Sequence, residues 1–109
     1  MSLDRLDPLL TQPKRLAALG IVGNSSEVEF SFLREVLELS DSDLSKQMTA
    51  LVSAEYVQVR KTGKGRNRKT WYKMTTEGRD AMAGHLEALN SLVRDAPQAP
   101  VSVADEESV

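Results

Sequence analysis

Between Arg60 and Lys73 the chain carries seven Lys or Arg and no Asp or Glu. That is half of its fourteen cations; the other ninety-five residues hold seven positive charges against sixteen negative. The formal net charge of −2 therefore conceals a sharp dipole. A basic run this dense, with no acid inside it, is suited to holding phosphate oxygens. Its cations Lys61, Lys64, Arg66, Arg68 and Lys69, together with Asn67, are the candidate phosphate ligands. A second set lies just upstream. Ser42, Ser45, Lys46, Gln47 and Thr49 alternate with an apolar stripe of Leu44, Met48, Leu51 and Val52 at helical spacing. Short or flexible hydrogen-bonding side chains on one face of a helix are the groups that read base edges in a major groove. RNA stays open as a partner of the basic patch, but A-form RNA has a deep, narrow major groove that would not admit such a helix, and duplex DNA is the expected partner.

Other chemistries find less support. Gly63-Lys64-Gly65 lacks the Lys-Ser/Thr ending of a phosphate loop and is followed by no helical pattern. His85 is the single histidine and sits on an apolar helix face, where packing is its expected role. A lone histidine does not make a zinc site, which wants three or four ligands. No nucleophile stands beside a base, so no catalytic residue, no metal site and no cofactor is expected, and the chain does not read as an enzyme. Cysteine is absent, which excludes disulfides and thiolate ligands.

The elements that must position these groups follow from local signals. Ser40 and Ser42 are candidate N-caps, with Asp41 and Asp43 in the first helical turn. Tyr56, Val57 and Val59, then Thr70 to Met74, read as two strands, and the two glycines between them permit a turn. Leu3, Leu6, Leu9 and Leu10 fall at helical spacings, with Asp7-Pro8 as a cap and first-turn proline. A helix is expected from about Pro13 to Val22, turning Leu16, Ala17, Leu19 and Ile21 inward, before Gly23-Asn24-Ser25-Ser26. Glu27 to Phe30 alternates as a very short strand, and Ser31 is placed to cap a helix containing Leu33, Val36 and Leu37. Thr75 or Thr76 opens a long helix to about Arg94, whose stripe includes His85, Leu86, Leu89, Leu92 and Val93. In the second hairpin strand, Tyr72 and Met74 facing the core would turn Trp71 outward, in a packing role.

This order resembles a winged helix-turn-helix, and in particular the small MarR/ArsR-like transcriptional regulators. The residues that carry the resemblance are Asp41-Ser-Asp-Leu-Ser-Lys-Gln-Met-Thr-Ala-Leu, Glu55-Tyr-Val and Trp71-Tyr-Lys-Met-Thr-Thr-Glu-Gly-Arg, within a span of roughly residues 8 to 94. Glu55 stands where such families usually have a glycine, and Met74 where they have leucine. The resemblance implies a mainly α fold with a small β-wing. It also implies a recognition helix starting near Asp41 and binding to operator DNA as a homodimer. The absence of cysteine removes the cysteine-based metal sensing of some ArsR-like proteins. The alternative is a winged-helix module for protein–protein interaction without specific DNA readout; a docking module, however, has no need of seven cations without one acid.

Two apolar faces lie outside the helix-turn-helix and wing: Leu3, Leu6, Leu9 and Leu10 at one end, Leu86, Leu89, Leu92 and Val93 at the other. A domain this small has little core to cover both, so helices at both ends are expected to form a dimer interface. Residues 1–95 are read as the DNA-binding and dimerisation domain, and 96–109 as a disordered acidic tail. No apolar run is long enough to span a membrane and no secretory signal is visible, so a cytoplasmic protein is expected. A small-molecule effector, the operator sequence and the sign of regulation stay open.

Overall fold

The computed structural model describes residues 2–101. Its elements run α1 (Pro13–Gly23), β1 (Val28–Glu29), α2 (Phe30–Leu37), α3 (Asp41–Ser53), β2 (Val57–Thr62), β3 (Lys69–Met74) and α4 (Thr76–Arg94), with a short 3₁₀ turn at Gly65–Asn67. The strands form one antiparallel sheet in the order β1-β3-β2. Val28 faces Tyr72 across β1 and β3, and Val59 faces Tyr72 across β2 and β3. The fold is thus four helices and a small sheet, mainly helical, as the sequence implied.

Three of the four helices are capped by a side chain where they start. Gln12 accepts a bond from the Lys14 amide at 3.2 Å, and Pro13 takes the first turn, where its missing N–H costs nothing. Ser40 accepts from the Asp43 amide at 3.1 Å, and Thr75 accepts from the Gly78 amide at 2.9 Å. Ser31 does not cap α2: Glu29 holds the cap position without a side-chain bond, and the Ser31 hydroxyl donates to the Glu29 carboxylate at 2.8 Å. The core comprises Leu10, Leu19, Val22, Val28, Leu33, Leu44, Met48, Leu51, Val57 and Tyr72. In α1 it is Ala18 that is buried, while Ala17 faces out.

The segment before α1 is not a helix. Single-turn bonds join the Leu6 amide to the Leu3 carbonyl and the Leu10 amide to the Asp7 carbonyl, and neither turn propagates. Pro13 holds the preceding residue in an extended conformation, which leaves too few residues to repay helix nucleation. Asp7 does cap its turn, accepting from the Leu9 amide at 2.9 Å. The segment folds back onto its own domain, and Leu10, expected at a dimer interface, is 1% exposed in the core. Leu6 and Leu9 are half-buried, and Leu3 remains 64% exposed. At the other end, the last buried residue of α4 is Ala88, so its final turns overhang the core. Residues 96–101 are exposed and without regular structure; the rest of the expected tail lies outside the described residues.

The exit from α3 explains two of the motif residues. Glu55 has φ +64°, the left-handed region that favours glycine. Thr75 donates its hydroxyl to the Glu55 carbonyl at 2.6 Å, and its amide donates to the Tyr56 carbonyl at 3.0 Å. A side chain at Gly78 would meet that same carbonyl oxygen at 2.2 Å, so the Thr-x-x-Gly spacing lets α4 begin against the α3 exit. A non-glycine residue in this region costs roughly 1–2 kcal/mol, partly offset by the greater freedom glycine has when unfolded. Glu55→Gly should therefore raise the melting temperature by about 4 °C, read by thermal circular dichroism. An unchanged or lower midpoint would show that the Glu55 side chain contributes more than its backbone costs.

Candidate nucleic-acid interface

α2 ends at Leu37 and α3 begins at Asp41, with a three-residue turn between them. Glu38 makes that turn with φ +53°, and the Leu39 amide returns to the Arg34 carbonyl at 3.2 Å. The turn aims the first residues of α3 outward. Both acids of its first turn are paired by cations from other helices. Asp41 binds Arg34 at 2.7 Å, and Asp43 binds Lys14 at 2.6 Å. The Lys14 bond, then that of Gln47, holds the Asp43 carboxyl below the usual carboxylate range. The acids of this turn are thereby compensated at the helix N-terminus, whose own partial charge is positive.

Of the residues expected on the outer face of α3, Ser42, Ser45, Lys46 and Thr49 are exposed. Gln47 is not: it is 4% exposed, on the inner side of the helix. Its amide nitrogen donates to Asp43 Oδ1 at 3.0 Å, and its oxygen accepts from Arg15 Nε at 3.1 Å. A buried amide with both ends bonded is a structural bracket. The Asp43–Gln47 spacing of one helical turn was visible in the sequence; the Arg15 partner, thirty-two residues away, was not.

On the wing, Lys61, Lys64, Arg66, Asn67, Arg68 and Lys69 are all exposed. None of the five cations among them has an ion-pair partner among the described residues. Gly63 permits the tip: it has φ +74°, and an added Cβ would meet the Asn67 carbonyl oxygen at 2.2 Å. Arg60, counted in the same basic run, is different. It forms two bonds to Glu27 at 2.8 and 2.6 Å and lies over the Trp71 ring, 5.9 Å from its centroid. That pairing holds the Glu27 carboxyl below its ordinary range. Trp71 is half-buried on the sheet face opposite Tyr72, its indole N–H donating to Thr62 at 3.1 Å.

α3 and the wing adjoin. Ser45 and Thr49 of α3 line one depression of about 390 Å³ with Lys61 and Thr70 of the hairpin, over Met48, Val59 and Tyr72. Ser45 and Thr49 therefore share one continuous surface with the wing cation Lys61. His85 lies apart from it, 2% exposed, its Nδ1 accepting from the Asp7 amide at 3.0 Å. Among the described residues no cluster of three or more His, Cys, Asp or Glu is arranged to hold a metal ion, and no helix is long and apolar enough to cross a membrane.

Residues 14–93 match the family model described as a winged helix DNA-binding domain. No curated protein matches the chain in sequence. Among solved structures, a transcriptional regulator homologue from Pyrococcus horikoshii OT3 is similar with a TM-score of 0.73, 20% identity, and coverage of 83% of this chain and 89% of that one. Sco3205, a MarR family transcriptional regulator from Streptomyces coelicolor in complex with DNA, gives 0.60 at 18% identity, covering 96% and 70%. The PcaV transcriptional regulator from the same organism, in complex with its natural ligand, gives 0.65 at 18% identity, covering 96% and 72%.

Proposed function

The chain belongs to the winged helix DNA-binding domain family, and we propose that it is a MarR-like transcriptional regulator that binds specific sites on duplex DNA as a homodimer. The observation that carries this reading is the single surface made by the outer face of α3 and the wing. α3 enters the major groove, where Ser42, Ser45, Lys46 and Thr49 meet base edges. The wing lies on the adjacent backbone or minor groove, with Lys61, Lys64, Arg66, Asn67, Arg68 and Lys69 at phosphates. Gln47 takes no part in base contact; it braces α3 from beneath.

Dimerisation rests on the overhanging end of α4. Leu86 and Leu89 are exposed, Val93 is 83% exposed and Leu92 is half-buried, with Leu3 also bare at the other end. Packing α4 against a second copy across a two-fold axis covers this face. Leu10 is withdrawn from the interface, and Leu6 and Leu9 contribute at its margin. The same axis presents two copies of α3 about one DNA turn apart, ~34–36 Å.

Lys46→Ala and Ser45→Ala test the assignment of α3. Each should weaken binding to a selected site by about 1–3 kcal/mol more than binding to random duplex, because base contacts carry the discrimination. Competition titration with the two DNAs reads this directly. Equal losses on both would assign α3 to the backbone instead.

A further inference from the structure

The segment before α1 reaches α3 from two sides. On one side, Tyr56 follows α3 by three residues and is locked to its last turn, its amide donating to the Leu51 carbonyl at 2.9 Å. The Tyr56 hydroxyl donates to Asp7 Oδ2 at 2.5 Å. Asp7 is itself fixed, since its Oδ1 accepts from the Leu9 amide and its own amide donates to the buried His85 of α4 at 3.0 Å. On the other side, the Leu9 carbonyl accepts from Arg15 Nη1 at 3.2 Å, and Arg15 Nε donates to Gln47 beneath α3 at 3.1 Å.

We propose that Asp7 and Leu9 position α3 for base reading, through Tyr56 at its exit and through Arg15 and Gln47 on its inner face. The proposal rests on the reading of α3 as the base-contacting helix. Two points of attachment, one at the end of a helix and one on its side, fix both its tilt and its rotation about its axis. Gln47 is buried, so a rotation that broke its bonds would leave a polar group unpaired away from water, which is costly. The exposed face carrying Ser45 and Thr49 is therefore indexed to α4, where the proposed dimer surface lies. The Asp7 bond, with burial second, pushes the Tyr56 phenol up to about 12, so the tie at the exit persists across the neutral range. Asp7, Leu9, Arg15, Gln47 and Tyr56 are positioning residues in this account and touch no DNA.

Tyr56→Phe and Arg15→Met each remove one attachment and leave the apolar packing in place. Amide hydrogen exchange of the free full-length protein should speed up in α3 by about fivefold for each lost bond, while α4 is unchanged. In parallel, the ratio of affinities for a site selected by the wild type and for random duplex should fall about tenfold in the double variant, with the salt dependence unaltered. Faster exchange in every helix would reduce the two ties to general stability and overturn the proposal. So would unchanged exchange in α3, or a loosened α3 with an undiminished affinity ratio. A wild-type protein that selects no site would remove the underlying reading, and the positioning role with it. If the double variant does not fold, Tyr56→Phe alone gives the same comparison.

Discussion

Replacing Arg66 and Arg68 with alanine is expected to weaken binding to every duplex by similar factors, about ten- to a hundredfold together at moderate salt. Both side chains stand exposed on the wing with no acidic partner among the described residues, so no ion pair there competes with phosphate for them. Each lost contact should also flatten the log–log dependence of affinity on salt by roughly 0.9, because one fewer counterion is released. Titrations at several salt concentrations measure both effects. Arg60 is the internal control. Glu27 already neutralises it, so Arg60→Ala should leave the slope within error of the wild type. An unchanged slope in the Arg66/Arg68 variant would mean that the wing does not touch the backbone.

The second large effect is expected at the opposite end of the molecule. Leu89→Asp with Val93→Asp places two charges on the outer face of α4, where Val93 is 83% and Leu89 37% exposed. The dimer should dissociate to a 12.0 kDa species in sedimentation equilibrium at micromolar concentration. Binding to a duplex with two half-sites should fall by about a thousandfold, since the second half-site then binds as an independent event. Binding to one half-site should change little. A wild type that sediments as a monomer would contradict this interface, and a variant that remains dimeric would move it elsewhere.

The course of the chain was legible where the signals were local. Ser40 and Thr75 cap the helices expected of them, and the hairpin falls on the strand-forming residues Val57, Val59 and Thr70 to Met74. The departure of Glu55 from glycine was visible too, and the structure gives its backbone the left-handed geometry a glycine would adopt. What was illegible depended on distant partners. The spacing of Leu3, Leu6, Leu9 and Leu10 fits a helix, yet Pro13 ends the segment too early, and Leu10 turns into the core instead. Gln47, three residues after Leu44 and four before Leu51, is placed on the inner side by helical spacing itself, and only its partner, Arg15 on α1, was illegible. Arg60 belongs to the basic run in sequence but to Glu27 in space. Local periodicity fixes which residues share a helix face. It does not say which face another element will claim.

In the proposed function α3 and the wing together read duplex DNA. The most direct test of this is selection by the purified protein from a pool of random duplexes. The expected result is enrichment of one sequence, made of two related half-sites in inverted repeat with centres about one helical turn apart. Lys46→Ala should alter the enriched bases without abolishing retention of DNA. Retention of DNA with no enriched sequence, or no retention at all, would contradict the account.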